Sequence, residues 1–154
     1  MFFTSWKSFG FLWSSTRQNF HKAAIQNTRS FCIMAQLLDK IPDVDIDANG
    51  VFKYVLIMVH DDENKQSKPI VRGYSRASWH ADIYDETGVQ LKQYGSALDT
   101  ECLGGGRINH NQPEKKILVY GYSQGFGKAD HKITVDLLKK KYPEYNITWS
   151  DEGY

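Results

Sequence analysis

The stretch Val51-Phe-Lys-Tyr-Val-Leu-Ile-Met-Val59 constrains this chain more than any other. β-Branched and aromatic residues dominate it, which favours a strand. A strand with one wet face alternates apolar and polar residues, but here the apolar run is broken only by Lys53. Such a strand belongs inside a sheet covered on both faces, so other elements have to pack above and below it.

The rest of residues 39–154 supplies those elements. A charged loop from Asp61 to Lys68 ends at Pro69, and Ile70 to Tyr74 reads as a second short strand. From Ser78 to Gly95, a hydroxyl cap, an acidic first half (Asp82, Asp85, Glu86) and apolar Trp79, Ile83 and Leu91 predict a helix. Glu101 to His110 and Lys115 to Tyr122 read as strands around an Asn111-Gln-Pro113 turn. Thr134 caps a short helix through Lys141, stopped before Pro143, and Tyr145 to Trp149 is a final strand. The expectation is one α+β domain, a single-layer mixed sheet of about six strands flanked by two helices.

Charge divides the chain. Lys7, Arg17, Lys22 and Arg29 stand without an acid in residues 1–38, so in a chain of net charge +1 the remaining residues carry −3. Six of the eight Phe lie in the first part and all nine Tyr in the second, so the two parts differ in kind. A basic, Ser- and Thr-rich segment without acids has the composition of a mitochondrial transit peptide; a disordered extension, with Met34 as an internal start, is the alternative. Residues 1–38 are thus read as a leader and 39–154 as the functional domain. With no excess of Lys and Arg there, nucleic acid and a stable membrane attachment are not expected partners. Cys32 and Cys102 are the only cysteines, which indicates a reducing compartment.

Two motifs fail on inspection. Asp45-x-Asp47-x-Asn49-Gly50 matches half of a calcium loop, but its twelfth position is Leu56 and a strand follows where a helix is required. Gly121 to Lys128 has one residue too many for a nucleotide-hydrolase phosphate loop, and Ala129 replaces the hydroxyl that would bind magnesium. The histidines and cysteines lack paired metal-ligand spacing, so no metal and no cofactor are expected.

Three remaining features suit an anion. His80 falls in the first turn of the predicted helix, where N–H groups lack helical partners; that setting favours a phosphate oxygen and a neutral imidazole. A plain surface or capping histidine fits the same position. Gly104-Gly105-Gly106-Arg107 allows either close approach of a ligand to the backbone beside a guanidinium, or a β-bulge. Tyr122-Ser-Gln-Gly-Phe-Gly-Lys128 is a Gly-rich loop after a strand, able to present amides to an anion.

Gly50-Val-Phe-Lys-Tyr-Val, Ile70-Val-Arg-Gly-Tyr, Trp79-His-Ala-Asp-Ile-Tyr-Asp, Glu101-Cys-Leu-Gly-Gly-Gly-Arg-Ile, Val119-Tyr-Gly-Tyr-Ser and Asp151-Glu-Gly-Tyr154 together resemble the phosphohistidine phosphatase, or janus, family. Ser123 to His131 resembles its insect branch most closely, and the likeness runs from about Ile41 to Tyr154. The resemblance implies metal-independent removal of phosphate from phosphohistidine in proteins, in a small cytosolic monomer. It makes His80 the catalytic histidine, as general base or nucleophile, with Ala81 after it in the motif as a further contact. Lys53 becomes a substrate contact, Ser123, Gln124 and Gly125 the phosphate loop, and Arg72 and Arg107 supporting arginines. Vertebrate members carry Ser-Met-Ala in that loop, and Trp79 stands where the family commonly has Tyr. A phosphopeptide-binding module without catalysis is the alternative, and it has no need of His80.

Overall fold

The computed structural model describes residues 37–95 and 97–152. Residues 1–36 of the leader, with its import reading, and the terminal Gly153 and Tyr154 lie outside the described residues; Leu38, counted in the leader, is buried in the domain core.

Six strands form one mixed sheet: β1 (Val44–Ile46), β2 (Gly50–Asp61), β3 (Gln66–Tyr74), β4 (Leu98–Asn111), β5 (Lys116–Tyr120) and β6 (Asn146–Trp149), in the order β1-β3-β2-β4-β5-β6. The outer pairs, β1 with β3 and β5 with β6, are parallel and the inner pairs antiparallel. Helix α1 (His80–Leu91) joins β3 to β4, and α2 (His131–Lys141) makes the crossover between parallel β5 and β6.

The predicted central strand is β2, paired on both edges. Its residues alternate between two cores. Val55, Ile57 and Val59 join Ile70, Tyr74 and, from α1, Ile83 and Leu91. Phe52, Tyr54 and Leu56 face the other way, into Ile108, Ile117, Val119 and the Val135, Leu137 and Leu138 of α2. A helix on each face explains the unbroken apolar run.

Several boundaries differ from expectation, each for a local reason. β3 starts at Gln66 and includes Pro69, which is tolerated because pairing with β1 begins only at Val71. The charged loop shrinks to a turn in which the Asp61 carboxylate accepts from the backbone and side-chain amides of Asn64, at 3.1 and 2.6 Å. β1 lies inside the calcium-like motif, and that motif's acids staple strands: Tyr74 Oη donates to Asp45 at 2.8 Å and the Ser75 N–H to Asp47 at 2.7 Å. α2 begins four residues early because Asp130, not Thr134, is its cap, accepting from the N–H groups of Lys132 and Ile133. α1 begins at His80, and Gly88 inside it is carried by the buried Ile83, Thr87 and Leu91.

Candidate active site

The site forms where β4 runs past the end of β5. β5 stops at Tyr120, opposite Arg107, so the edge of Gly104 to Gly106 is left for other partners. The chain leaving β5 folds a small hairpin closed by Ser123 and Gly127, whose N–H groups donate to each other's carbonyls at 3.1 and 2.9 Å. It then returns along β4, with the Gly105 N–H donating to Gly127 O and the Ala129 N–H to Gly105 O.

The glycines admit this traffic. A Cβ on Gly104 would stand 2.6 Å from Ala129 N, one on Gly106 2.6 Å from Tyr120 O, and one on Gly105 2.8 Å from His80 Cδ2. Both sequence readings of the triplet therefore hold in part. A bulge is present at the shift between Leu56 and Ile57, and Gly104 has a φ of 136°. The close approach is made by the protein's own loop and catalytic-candidate ring.

His80 is 8% exposed, and its Nε2 lies 3.0 Å from Gly106 O. A carbonyl only accepts, so Nε2 carries the proton and donates, and in the neutral ring Nδ1 holds the lone pair. The Nε2–Cδ2 edge rests against β4, which turns Nδ1 away from the sheet. Burial lowers the His80 pKa from its ordinary value; the Gly106 bond opposes this, and the charges of Lys53 and Arg107 add to it. The imidazole is thus held neutral and basic at one defined nitrogen.

The helix start is left open for an anion. Trp79 occupies the N-cap, and an indole has no acceptor with which to cap the helix. The Asp82 carboxylate instead accepts the Trp79 N–H at 2.7 Å. The first-turn amides of His80 and Ala81 have no helical partners, at the positive end of the helix dipole.

A cleft of about 310 Å³ lies in front of these groups, lined by Lys53, Trp79, His80, Ala81, Ser123, Gln124, Gly125 and Phe126. Lys53 comes from β2, and the same register places Arg107 of β4 directly beside it on the α1 face. Ser123 is buried and its Oγ accepts the Phe126 N–H at 3.2 Å, which shapes the loop. Gln124 and Gly125 are exposed at its tip. Among the described residues, no carboxylate lines the cleft.

Of the expected site residues, His80, Lys53, Ala81, Ser123, Gln124 and Gly125 meet here, and Arg107 adjoins them. Arg72 does not reach the cleft. It is 3% exposed and its guanidinium donates to Val71 O and Pro42 O, tying β3 to the segment before β1. Lys128 turns away as well, paired with Asp151 at 2.6 Å. Sequence reasoning missed Phe126 as a wall and Gly106 as the anchor of His80. For Gly106 the signal was the glycine triplet; for Phe126, whose ring packs edge-on against Tyr84, sequence carried none. Among the described residues, no three His, Cys, Asp or Glu side chains group as a metal cage, and no helix is long and apolar enough to cross a membrane.

A family model described as Janus/Ocnus matches residues 38–146. The chain belongs to the Janus/Ocnus family. Two curated members are each 53% identical and carry the name 14 kDa phosphohistidine phosphatase. The one from Sus scrofa aligns over 122 residues, 76% of this chain and 95% of its own length. The one from Homo sapiens aligns over 119 residues, 74% and 94%. A third Janus/Ocnus member, the sex-regulated protein janus-A of Drosophila pseudoobscura pseudoobscura, is 54% identical over 123 residues, 77% of this chain and 81% of its own. The family match takes in β1 to β5, the cleft and the first residue of β6, and starts at residue 38, the last of the basic leader.

Proposed function

We propose that this Janus/Ocnus protein is a protein-histidine phosphatase, hydrolysing the phosphorus–nitrogen bond of phosphohistidine in proteins. The carrying observation is the single lone pair of His80 Nδ1, fixed by the Gly106 hydrogen bond at a cleft lined by a cation and open amides. The names of its 53% identical relatives support the same substrate.

In this reading the phosphoryl oxygens sit against Lys53, the first-turn amides of His80 and Ala81, and the loop amides of Gln124 and Gly125, with Arg107 adding charge. The phosphorus–nitrogen bond is labile, so positioning and charge stabilisation carry most of the rate. Water attacks phosphorus, the bond to the substrate imidazole breaks with its electron pair on nitrogen, and a proton ends there; the products are histidine and inorganic phosphate. Nδ1 serves either by taking the water proton or by accepting the phosphoryl group and passing it to water. Acid-quenched single turnover separates these, since only the second leaves phosphate on His80.

Phosphate release from a phosphohistidine polypeptide in excess chelator tests the reading, including its independence of metal. His80→Ala is expected to lower kcat by about 100-fold or more while polypeptide affinity stays within a few-fold. Unchanged turnover would refute the assignment, and binding without turnover in the wild type would favour the non-catalytic module. We further place the protein in the cytoplasm, supported by its cysteine usage, and as a monomer, on the family resemblance alone; delivery to mitochondria by residues 1–38 is the competing destination.

A further inference from the structure

α1 packs on β2, β3 and β4, and no described helix packs on the same sheet face across β5 and β6. The strand register writes two cross-strand rows onto that face. Lys53, Arg107 and Tyr120 form the first, and its Lys53 end lines the cleft. Val51, Asn109, Leu118 and Thr148 form the second, one pleat further from His80. All four residues of the second row are exposed, Val51 by 52% and Leu118 by 37%, and Asn109, Leu118 and Thr148 line a groove of about 220 Å³.

We infer that this second row is the docking track for the polypeptide that flanks the phosphohistidine, an inference that rests on the phosphatase reading. Continuity decides the occupant. The row lies two residues, about 7 Å, along the strands from Lys53, within the reach of a histidine side chain entering the cleft from a main chain laid across the track. The chemistry suits an extended segment: the amide of Asn109 and the hydroxyl of Thr148 bond main-chain N–H and C=O groups, and Val51 and Leu118 take an apolar side chain. Crossing from β2 to β6 spans three inter-strand gaps, about 14 Å, which about four extended residues cover.

The test compares two substrates of the full-length chain: phosphoramidate, which has no polypeptide, and a phosphohistidine polypeptide with at least about four residues on each side. Leu118→Glu and the double variant Asn109→Ala/Thr148→Ala are expected to raise KM for the polypeptide about fivefold, leaving its kcat and phosphoramidate turnover within about twofold. If Leu118→Glu disturbs folding, phosphoramidate turnover falls with it and the double variant decides. Unchanged polypeptide KM in the double variant would overturn the track and give the face to residues 1–36 or a second copy. A wild-type chain that turns over phosphoramidate but not the polypeptide would refute the protein-substrate reading and the track with it, whereas unchanged KM in the double variant refutes the track alone. Turnover of neither substrate would refute the phosphatase reading and the track with it.

Discussion

Gly105→Ala puts the coupling between fold and chemistry to its sharpest test. The added Cβ would stand 2.8 Å from both His80 Cδ2 and Tyr54 O, and 3.1 Å from Ser123 Cβ. Tyr54 O is backbone in the middle of the sheet, so the imidazole is the neighbour able to give. Ordinary contact begins at 3.4 Å, which asks the ring to retreat by about 0.6 Å. The 3.0 Å bond from Nε2 to Gly106 O then lengthens to about 3.6 Å, beyond hydrogen-bonding range. Overpacking of this kind costs about 1–3 kcal/mol of stability. A sub-ångström misplacement of the reacting nitrogen lowers kcat about tenfold or more. The pH profile carries the diagnostic sign: the Gly106 bond raises the His80 pKa, so its loss moves the acid limb of kcat/KM to lower pH. Urea unfolding and pH–rate profiles on phosphoramidate read all three effects. A variant that loses stability but keeps the wild-type kcat and acid limb would refute the claim that Gly106 fixes the catalytic nitrogen.

Lys53→Gln removes a cation that both faces the cleft and lowers the His80 pKa, so kcat/KM should fall about 100-fold while its acid limb moves to higher pH, opposite to Gly105→Ala. His80 and His131 both have pKa values lowered chiefly by burial. Each binds fewer protons folded than unfolded below its ordinary 6.5, so stability should rise with pH from the folded-state values up to about 6.5. Urea midpoints on either side of that pH measure this, and a fall in stability with rising pH there would contradict it. Tyr54→Phe removes a phenol that burial keeps protonated, 2.7 Å from the buried Nδ1 of His131 on the far side of the sheet. Thermal or urea unfolding should show a loss of about 1–3 kcal/mol with kcat within about twofold.

The central strand was legible because its unbroken apolar run has one physical explanation, burial on both faces, and β2 has both cores. The two helices were legible from their caps and periodicity, but their starts were not. Ser78 and Thr134 are good capping residues in isolation, whereas tertiary contact draws Thr134 into the core beside Tyr54 and leaves the cap to Asp130. β1 escaped notice because three residues, Val-Asp-Ile, are too short to show a period, and pairing with β3 rather than intrinsic propensity makes them a strand. Among the cleft residues, His80 and the loop after β5 could be read from local chemistry. Arg72 could not be placed, because whether a guanidinium faces a cleft or clamps two carbonyls depends on a contact thirty residues away, at Pro42.

Net charge misleads for this molecule because phosphate attraction is assembled across the sheet. A domain with charge −3 would repel an anionic substrate if its charges were spread evenly, yet among the described residues no carboxylate lines the cleft. Lys53 and Arg107 are far apart in sequence and become neighbours only through the β2–β4 register. The same strand brings Gly105 and Gly106 against His80 at the helix start, so the cations and the neutral imidazole share one origin. Shifting β4 by one residue would send Arg107 to the α2 face, away from Lys53. In the proposed reading, the anion site and the tautomer of His80 are therefore set together, by the pairing of two strands.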